Sequence, residues 1–139
     1  MIRRATDDDV GAIVALFEAS FATLDFLPKL HTHDENLAYF RRCVADGEAY
    51  ICADGFAILD GDRLSHLYVH PRAIGTGVGH ALFEHVQRVR PRGFDLWVFQ
   101  QNERARRFYE RHGCVAVELT DGAGNEERTP DVRYAWRPA

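Results

Sequence analysis

The stretch VHPRAIGTGVGHAL, from Val69 to Leu82, constrains the chain more than any other. It follows the apolar run LSHLYV and sets three glycines at alternate positions, Gly75, Gly77 and Gly79. Leu82, Val86 and Val89 then recur at helical spacing. A strand must therefore pass through a side-chain-poor loop directly into a helix. Successive small residues let main-chain N–H groups converge on one point. The first N–H groups of the helix have no intrahelical acceptor and lie at the positive end of its dipole. The combination suits a phosphate or pyrophosphate, and the same residues also suit a plain turn and cap.

Two nucleotide motifs are excluded by what is missing. A Walker loop needs Gly-Lys-Ser/Thr, and this chain has Gly79-His80-Ala81. A dinucleotide fingerprint needs a third glycine where His80 stands, although Asp95 lies at a suitable distance. The elements before the loop also read as an antiparallel meander.

Ile2 to Ala5 predicts a short opening strand. Thr6, with Asp9 three residues on, caps a helix whose inner face is Val10, Ile13, Phe17 and Phe21. Phe26-Leu27-Pro28 interrupts the pattern. Thr32 and Glu35 form a capping box for a second helix bearing Leu37, Phe40 and Val44, stopped by Gly47. Ala49–Ala53, Phe56–Leu59 and Leu64–Val69 read as three strands, turning at Asp54-Gly55 and Asp60-Gly61. After the glycine loop and its helix, Leu96–Phe99 is a buried strand. Asn102 caps a fourth helix carrying Ala105, Phe108 and Tyr109 inward, closed by Gly113. Val115–Leu119 and Val132–Trp136 form a terminal pair with a long connection. The order β-αα-βββ-α-β-α-ββ predicts one α/β domain over residues 1–139, with a parallel crossover inside a mixed sheet of six or seven strands.

Of 139 residues, 21 are acidic and 17 basic, which disfavours a general nucleic-acid binder. No apolar run is long enough to cross a bilayer, and MIRRATDDD lacks a signal core, so a soluble, cytoplasmic protein with no membrane partner is expected. Cys43, Cys52 and Cys114 fit neither a disulfide framework nor a CxxC site, and no metal motif is present.

LSHLYVHPRAIGTGVGHAL resembles the acetyl-coenzyme A loop and helix of the GCN5-related N-acetyltransferase (GNAT) superfamily. The family pattern is R/Q-x-x-G-x-G/A after a strand ending V-x-P. Gly77 and Gly79 fill its fourth and sixth positions, while Ile74 stands at the first, a departure. NERARRFYERHGC, Asn102 to Cys114, resembles the family's N-x-x-A-x-x-F-Y-E-x-x-G-F, with Cys114 replacing the last aromatic. The resemblance covers nearly the whole chain. It implies four helices around a sheet whose Leu64–Val69 and Leu96–Phe99 strands splay apart. It also implies acetyl-CoA as cofactor, and direct transfer of the acetyl group to a primary amine of a small molecule or peptide in a ternary complex.

The implied roles fall on particular residues. Ile74, Gly75, Thr76, Gly77, Val78 and Gly79 surround the pyrophosphate, with N–H groups of Thr76 to Gly79 as donors. The backbone of Tyr68 and Val69 binds the pantetheine arm, and the N–H of Leu67 polarises the thioester carbonyl. Tyr109 protonates the departing thiolate; alternatively it is a core aromatic. Asn102 touches the cofactor arm or only caps its helix. Arg106 is the candidate for a coenzyme phosphate, or part of a solvated face. His66 is a candidate general base, or a histidine on an open sheet face. His31 and His33 contact the acceptor, or merely surround the Thr32 cap. Glu126 and Glu127 attract a cationic acceptor, or form ordinary surface. A non-catalytic acyl-CoA sensor is the second reading and a structural interaction domain the third. The terminal strands and long loop are an available homodimer edge.

Overall fold

The structure, a computed structural model, describes residues 1–139. Its elements are β1 (Arg3–Arg4), α1 (Val10–Phe21), α2 (His33–Asp46), β2 (Glu48–Cys52), β3 (Gly55–Asp60), β4 (Arg63–Val69), α3 (Val78–Val89), β5 (Phe94–Phe99), α4 (Glu103–Arg111), β6 (Val115–Leu119) and β7 (Asp131–Trp136). The expected order holds throughout. Thr32 Oγ1 accepts from the Glu35 N–H at 3.2 Å, and Glu35 Oε1 accepts from the Thr32 N–H at 2.8 Å. This reciprocal pair starts α2. Thr6 instead precedes a 3₁₀ turn, Asp7–Asp9, that leads into α1. The Asp9 carboxylate accepts from Arg3 at 2.6 and 2.9 Å and from the Thr6 N–H at 2.8 Å. Those bonds, Arg3 first, hold its carboxyl well below the usual carboxylate range.

Both meander turns sit one place away from their expected positions. The register pairs Cys52 with Gly55 and Asp60 with Arg63, so the turning residues are Ala53-Asp54 and Gly61-Asp62. Gly55 lies inside β3, where a Cβ would meet Leu82 Cδ1 at 2.8 Å and the Tyr68 carbonyl oxygen at 2.9 Å. Close packing under α3, rather than turn geometry, calls for glycine there.

The sheet has seven strands in the order β1-β2-β3-β4-β5-β7-β6. Only β4 and β5 run parallel, and their ladder has one pair, Arg63 with Asp95. Beyond it the strands diverge, leaving a V between Leu64–Val69 and Leu96–Phe99. On its other side β4 pairs with β3 along its whole length, with a bulge that makes Ser65 an extra residue: Leu59 faces Leu64, and Ile58 faces His66.

One core lies between the sheet and α3 and α4, around Leu64, Leu82, Phe83, Val86, Phe94 and Tyr134. A second joins α1 and α2 to the opposite face, around Val10, Ile13, Phe40, Phe56 and Ile58. The connection from Thr120 to Pro130 is internally braced. Asn125 Nδ2 donates to the Thr129 carbonyl at 2.7 Å and to Asp131 Oδ2 at 3.1 Å. Gln100, at the end of β5, donates to the Thr120 and Asp131 carbonyls at 2.9 and 3.0 Å. The loop is thereby fixed beside the mouth of the V.

Candidate active site

The chain leaves β4 through His70, makes a 3₁₀ turn at Pro71–Ala73 and enters α3. Gly75 and Gly77 have φ of 83° and 94°, a region that side chains with a Cβ avoid, and a Cβ at either would meet nothing within 4 Å. The N–H groups of Gly75, Gly77, Val78, Gly79 and His80 donate to no protein acceptor. Thr76 departs from expectation, because its N–H donates to the Ala73 carbonyl at 3.2 Å and is not a free donor. Ile74 is 43% exposed. At Gly79 a Cβ would stand 3.2 Å from Phe108 Cε1 and 3.6 Å from Val69 Cγ2, so this glycine lets α3 approach β4 and α4. His112 Nδ1 meets the Phe108 carbonyl at 2.7 Å and must donate to it; His112 Nε2 therefore accepts from His80 Nδ1 at 2.9 Å. This bond ties the first turn of α3 to α4.

Antiparallel pairing assigns the β4 main chain. The His70 N–H donates to the Asp54 carbonyl at 2.7 Å, continuing a ladder in which Tyr68 pairs with Phe56. Hydrogen-bonded and non-bonded pairs alternate. The Tyr68 amide groups therefore point to β3, while those of Leu67 and Val69 point into the V. Tyr68 is thus corrected as a main-chain ligand, and Leu67 and Val69 remain. The Val69 carbonyl already accepts from Ser20 Oγ at 2.8 Å, which fixes the end of α1 against the end of β4.

Tyr109 projects from α4 into the first core and is 7% exposed. Its hydroxyl has no hydrogen-bond partner, yet it is not among the fully enclosed orphan atoms, so its oxygen reaches accessible space. Burial first, then Cys114 and Tyr68, push the phenol upward. Tyr68 approaches from the other side of the sheet, where Phe17 meets its ring edge-on at 5.3 Å. Burial and Glu127 raise the Tyr68 phenol to about 12. Both tyrosines therefore hold their protons at neutral pH.

The Ser65 bulge puts His66 on the α1–α2 face, since one added residue reverses the alternation of side chains. The ring packs against Phe40 at 5.1 Å and Tyr39 at 5.6 Å. Its Nδ1 lies 3.1 Å from Ser65 Oγ and its Nε2 lies 3.1 Å from the Tyr39 hydroxyl. Burial lowers its pKa to about 4, so the imidazole is neutral at physiological pH.

The segment between α1 and α2 arches over the V, with Phe26 edge-on to Phe99 at 6.3 Å. Beneath it is a cleft of ≈ 500 Å³ with Phe17, Phe21 and Leu27 on its apolar side and Glu18, His33 and Glu127 on its polar side. His31 Nε2 pairs with Glu126 Oε1 at 2.6 Å, and His33 Nδ1 lies 3.0 Å from Glu18. The four residues expected to meet an acceptor are thus gathered in one place. Burial pushes the Glu18 carboxyl up, but hydrogen bonds from Asn36 and His33 outweigh it and keep it below its ordinary value.

Two other candidates have structural engagements. Asn102 Oδ1 caps α4 by accepting from the Ala105 N–H at 3.2 Å. Arg106 Nε donates to the Tyr134 hydroxyl at 3.0 Å, and that hydroxyl donates to Glu110 at 2.6 Å. Arg106 is also two residues from Phe108, which faces the glycine loop; two helical residues lie about 200° apart. It is therefore corrected as a phosphate contact. Arg104, one turn before Phe108, is on the appropriate side. Sequence reasoning also passed over Glu18, Ser20, Tyr39 and Ser65. Glu18 follows the half-buried Phe17 and Tyr39 precedes the buried Phe40, a signal for the rim of each helix.

A family model described as "Acetyltransferase (GNAT) domain" matches residues 36–114. The peptidyl-lysine N-acetyltransferase YjaB of Escherichia coli (strain K12) is 31% identical over 120 residues, which cover 81% of this chain and 80% of that protein. The peptidyl-lysine N-acetyltransferase YiaC of the same organism is 37% identical over 80 residues, covering 58% of this chain and 53% of that protein. The solution structure of apo YjaB from Escherichia coli superposes with a TM-score of 0.79 at 25% identity, over 100% of this chain and 98% of that one. PaiA N-acetyltransferase from Thermoplasma acidophilum, solved in complex with coenzyme A, has the same fold, with a TM-score of 0.75 at 18% identity over 99% and 98% of the two chains. With the glycine cradle, the parted strands and the matched domain in one chain, the protein belongs to the GNAT family of acetyltransferases.

Proposed function

We propose that residues 1–139 form a single catalytic domain that moves an acetyl group from acetyl-CoA directly to a primary amine, with a peptide lysine as the leading acceptor class. The observation that carries this reading is the occurrence in one chain of five unpaired N–H groups where α3 begins, a parallel strand pair that parts after one residue pair, and a Tyr109 hydroxyl with no protein partner. The names of the two Escherichia coli relatives support the acceptor class.

The loop fits a pyrophosphate: five of its N–H groups lack a protein acceptor, and nothing occupies the space a Cβ would take at Gly75 or Gly77. Gly75, Gly77, Val78, Gly79 and His80 would hold that group, with Arg104 beside it. Leu67 and Val69 would pair with the amides of the pantetheine arm. Acetyl-CoA, when bound, supplies an acyl group already joined to a good leaving thiol. The Leu67 N–H stabilises negative charge on the acyl oxygen. Tyr109 keeps a proton at its hydroxyl and shares it with the sulfur as charge builds there. The cleft takes an alkyl ammonium along Phe17, Phe21 and Leu27, with Glu18 and Glu127 drawing its charge. Its apolar depth suits a lysine stem.

Calorimetric titration with acetyl-CoA should give saturable 1:1 binding. A thiol-reactive dye should register free CoA only when an amine, such as a single-lysine peptide, is present. Binding without release in a broad amine panel would point instead to a sensor, and absence of binding would overturn the reading.

A further inference from the structure

Tyr39 of α2, one helical turn from the cleft-lining Asn36, is the side chain that meets His66 Nε2, and its hydrogen bond fixes what His66 can do. Ser65 Oγ has a single proton, and the Ile58 carbonyl, 3.0 Å away, can only accept it. If that proton went elsewhere, two acceptors would face each other at hydrogen-bond distance. Ser65 Oγ therefore accepts from His66 Nδ1, which must carry the ring proton. Nε2 is then the lone-pair nitrogen, and the Tyr39 hydroxyl, 3.1 Å away, donates to it. The Tyr39 oxygen still has lone pairs with which to accept, and the Cys43 thiol lies beside it. Tyr39 is 43% exposed; burial and Cys43 act first on its phenol, and Glu126, paired with His31 at the cleft, is also among the groups acting on it.

We propose that Tyr39 is the catalytic residue that receives the acceptor's proton, relaying it to His66 Nε2; this rests on the acetyl-transfer reading above. A neutral amine attacks the acyl carbon, and the new C–N bond leaves a positive nitrogen that is far more acidic than the free ammonium. The nitrogen gives a proton to the Tyr39 oxygen while Tyr39 passes its own to Nε2. The C–S bond breaks, and the sulfur takes the Tyr109 proton. His66 then returns its proton to solvent through Tyr39, and Tyr109 is reprotonated from solvent, which closes the cycle. Burial of His66 favours this return, because the imidazolium is disfavoured there. Ser65 is a positioning residue that sets the tautomer.

The test combines a spectrum with a mutant cycle. Long-range ¹⁵N–¹H correlation on the free protein should show His66 protonated at Nδ1 and bare at Nε2, and Ser65→Ala should erode that preference. Acetylation of a single-lysine peptide should slow about 10- to 100-fold in Tyr39→Phe and in His66→Gln, with acetyl-CoA affinity kept within about twofold. The double variant should be no slower than the slower single. A proton on Nε2, losses that multiply in the double variant, or full turnover in Tyr39→Phe would overturn the relay. A wild-type protein that releases no CoA with any amine would overturn the transfer reading itself, an outcome told apart because the ring spectrum is read without turnover.

Discussion

Replacing Tyr109 with phenylalanine separates structure from chemistry at one oxygen atom. The ring is buried among Phe83, Phe108 and Tyr134, and phenylalanine fills the same space. The hydroxyl donates to no protein group, so its removal breaks no internal hydrogen bond. A partnered buried hydroxyl would contribute about 1–1.5 kcal/mol. At about 2 cal/mol/K per residue, a chain of 139 residues would register that as a fall of about 3–5 °C in Tm. The expected shift for Tyr109→Phe is instead within about 1 °C. A positioned general acid contributes about 10²–10⁴ in rate, or about 2.7–5.5 kcal/mol of barrier. Turnover should therefore collapse while the fold stays intact. Steady-state CoA release, a thermal melt and an acetyl-CoA titration measure the three quantities on one preparation. Undiminished turnover would refute the assignment. So would a loss of turnover that merely tracked a loss of Tm, since that would make the hydroxyl structural.

The other expectations follow from equally local features. Gly77→Ala places a Cβ at φ 94°, at a cost of about 1–2 kcal/mol, with no clash to mask it; acetyl-CoA affinity by calorimetry should weaken about 5- to 30-fold, and unchanged affinity would refute the cradle. Gly55→Ala drives a Cβ into Leu82 and the Tyr68 carbonyl, so overpacking of about 1–3 kcal/mol should lower Tm by about 3–10 °C. His66 has a folded-state pKa of about 4, below its ordinary value near 6.5, so between these values the unfolded chain binds the proton and the folded chain does not. Stability should therefore be intact above about pH 6.5 and fall as the pH drops toward 4, and His66→Gln should flatten that part of the Tm–pH curve.

The element order was legible because buried faces repeat at periods the sequence displays: Val10, Ile13 and Leu16 in α1, Leu82 and Val86 in α3, and Leu96 and Val98 in β5. The side-chain-poor loop was legible because glycines at alternate positions lead straight into a helical pattern. What stayed hidden depends on distances across the chain. Thr76 looked like a donor until its N–H was seen turned to Ala73, a choice made by the 3₁₀ turn before it. Arg106 shares a helix face with Tyr109, but that face looks at the sheet and Tyr134 rather than at the loop. Gly55 read as a turn residue, because a turn glycine and a packing glycine are the same letter. The contact between Tyr39 and His66 joins two elements 27 residues apart, and nothing in either segment alone announces it.

The extra residue in β4 has a consequence for how this chain tolerates length changes. Excising Ser65 would leave every helix cap, turn and glycine untouched, and a pattern-based reading of the shortened sequence would barely alter. With Ser65 gone, the pairs Leu59 with Leu64 and Ile58 with His66 would simply become consecutive, so His66, Leu67, Tyr68 and Val69 would keep their partners and their faces; what would vanish is the hydroxyl beside His66 Nδ1. The bulge is thus a place where the strand can lose a residue without re-aiming its neighbours: a homologue lacking this position would retain the architecture and the lining of the gap, and forfeit only the oxygen that orients the imidazole.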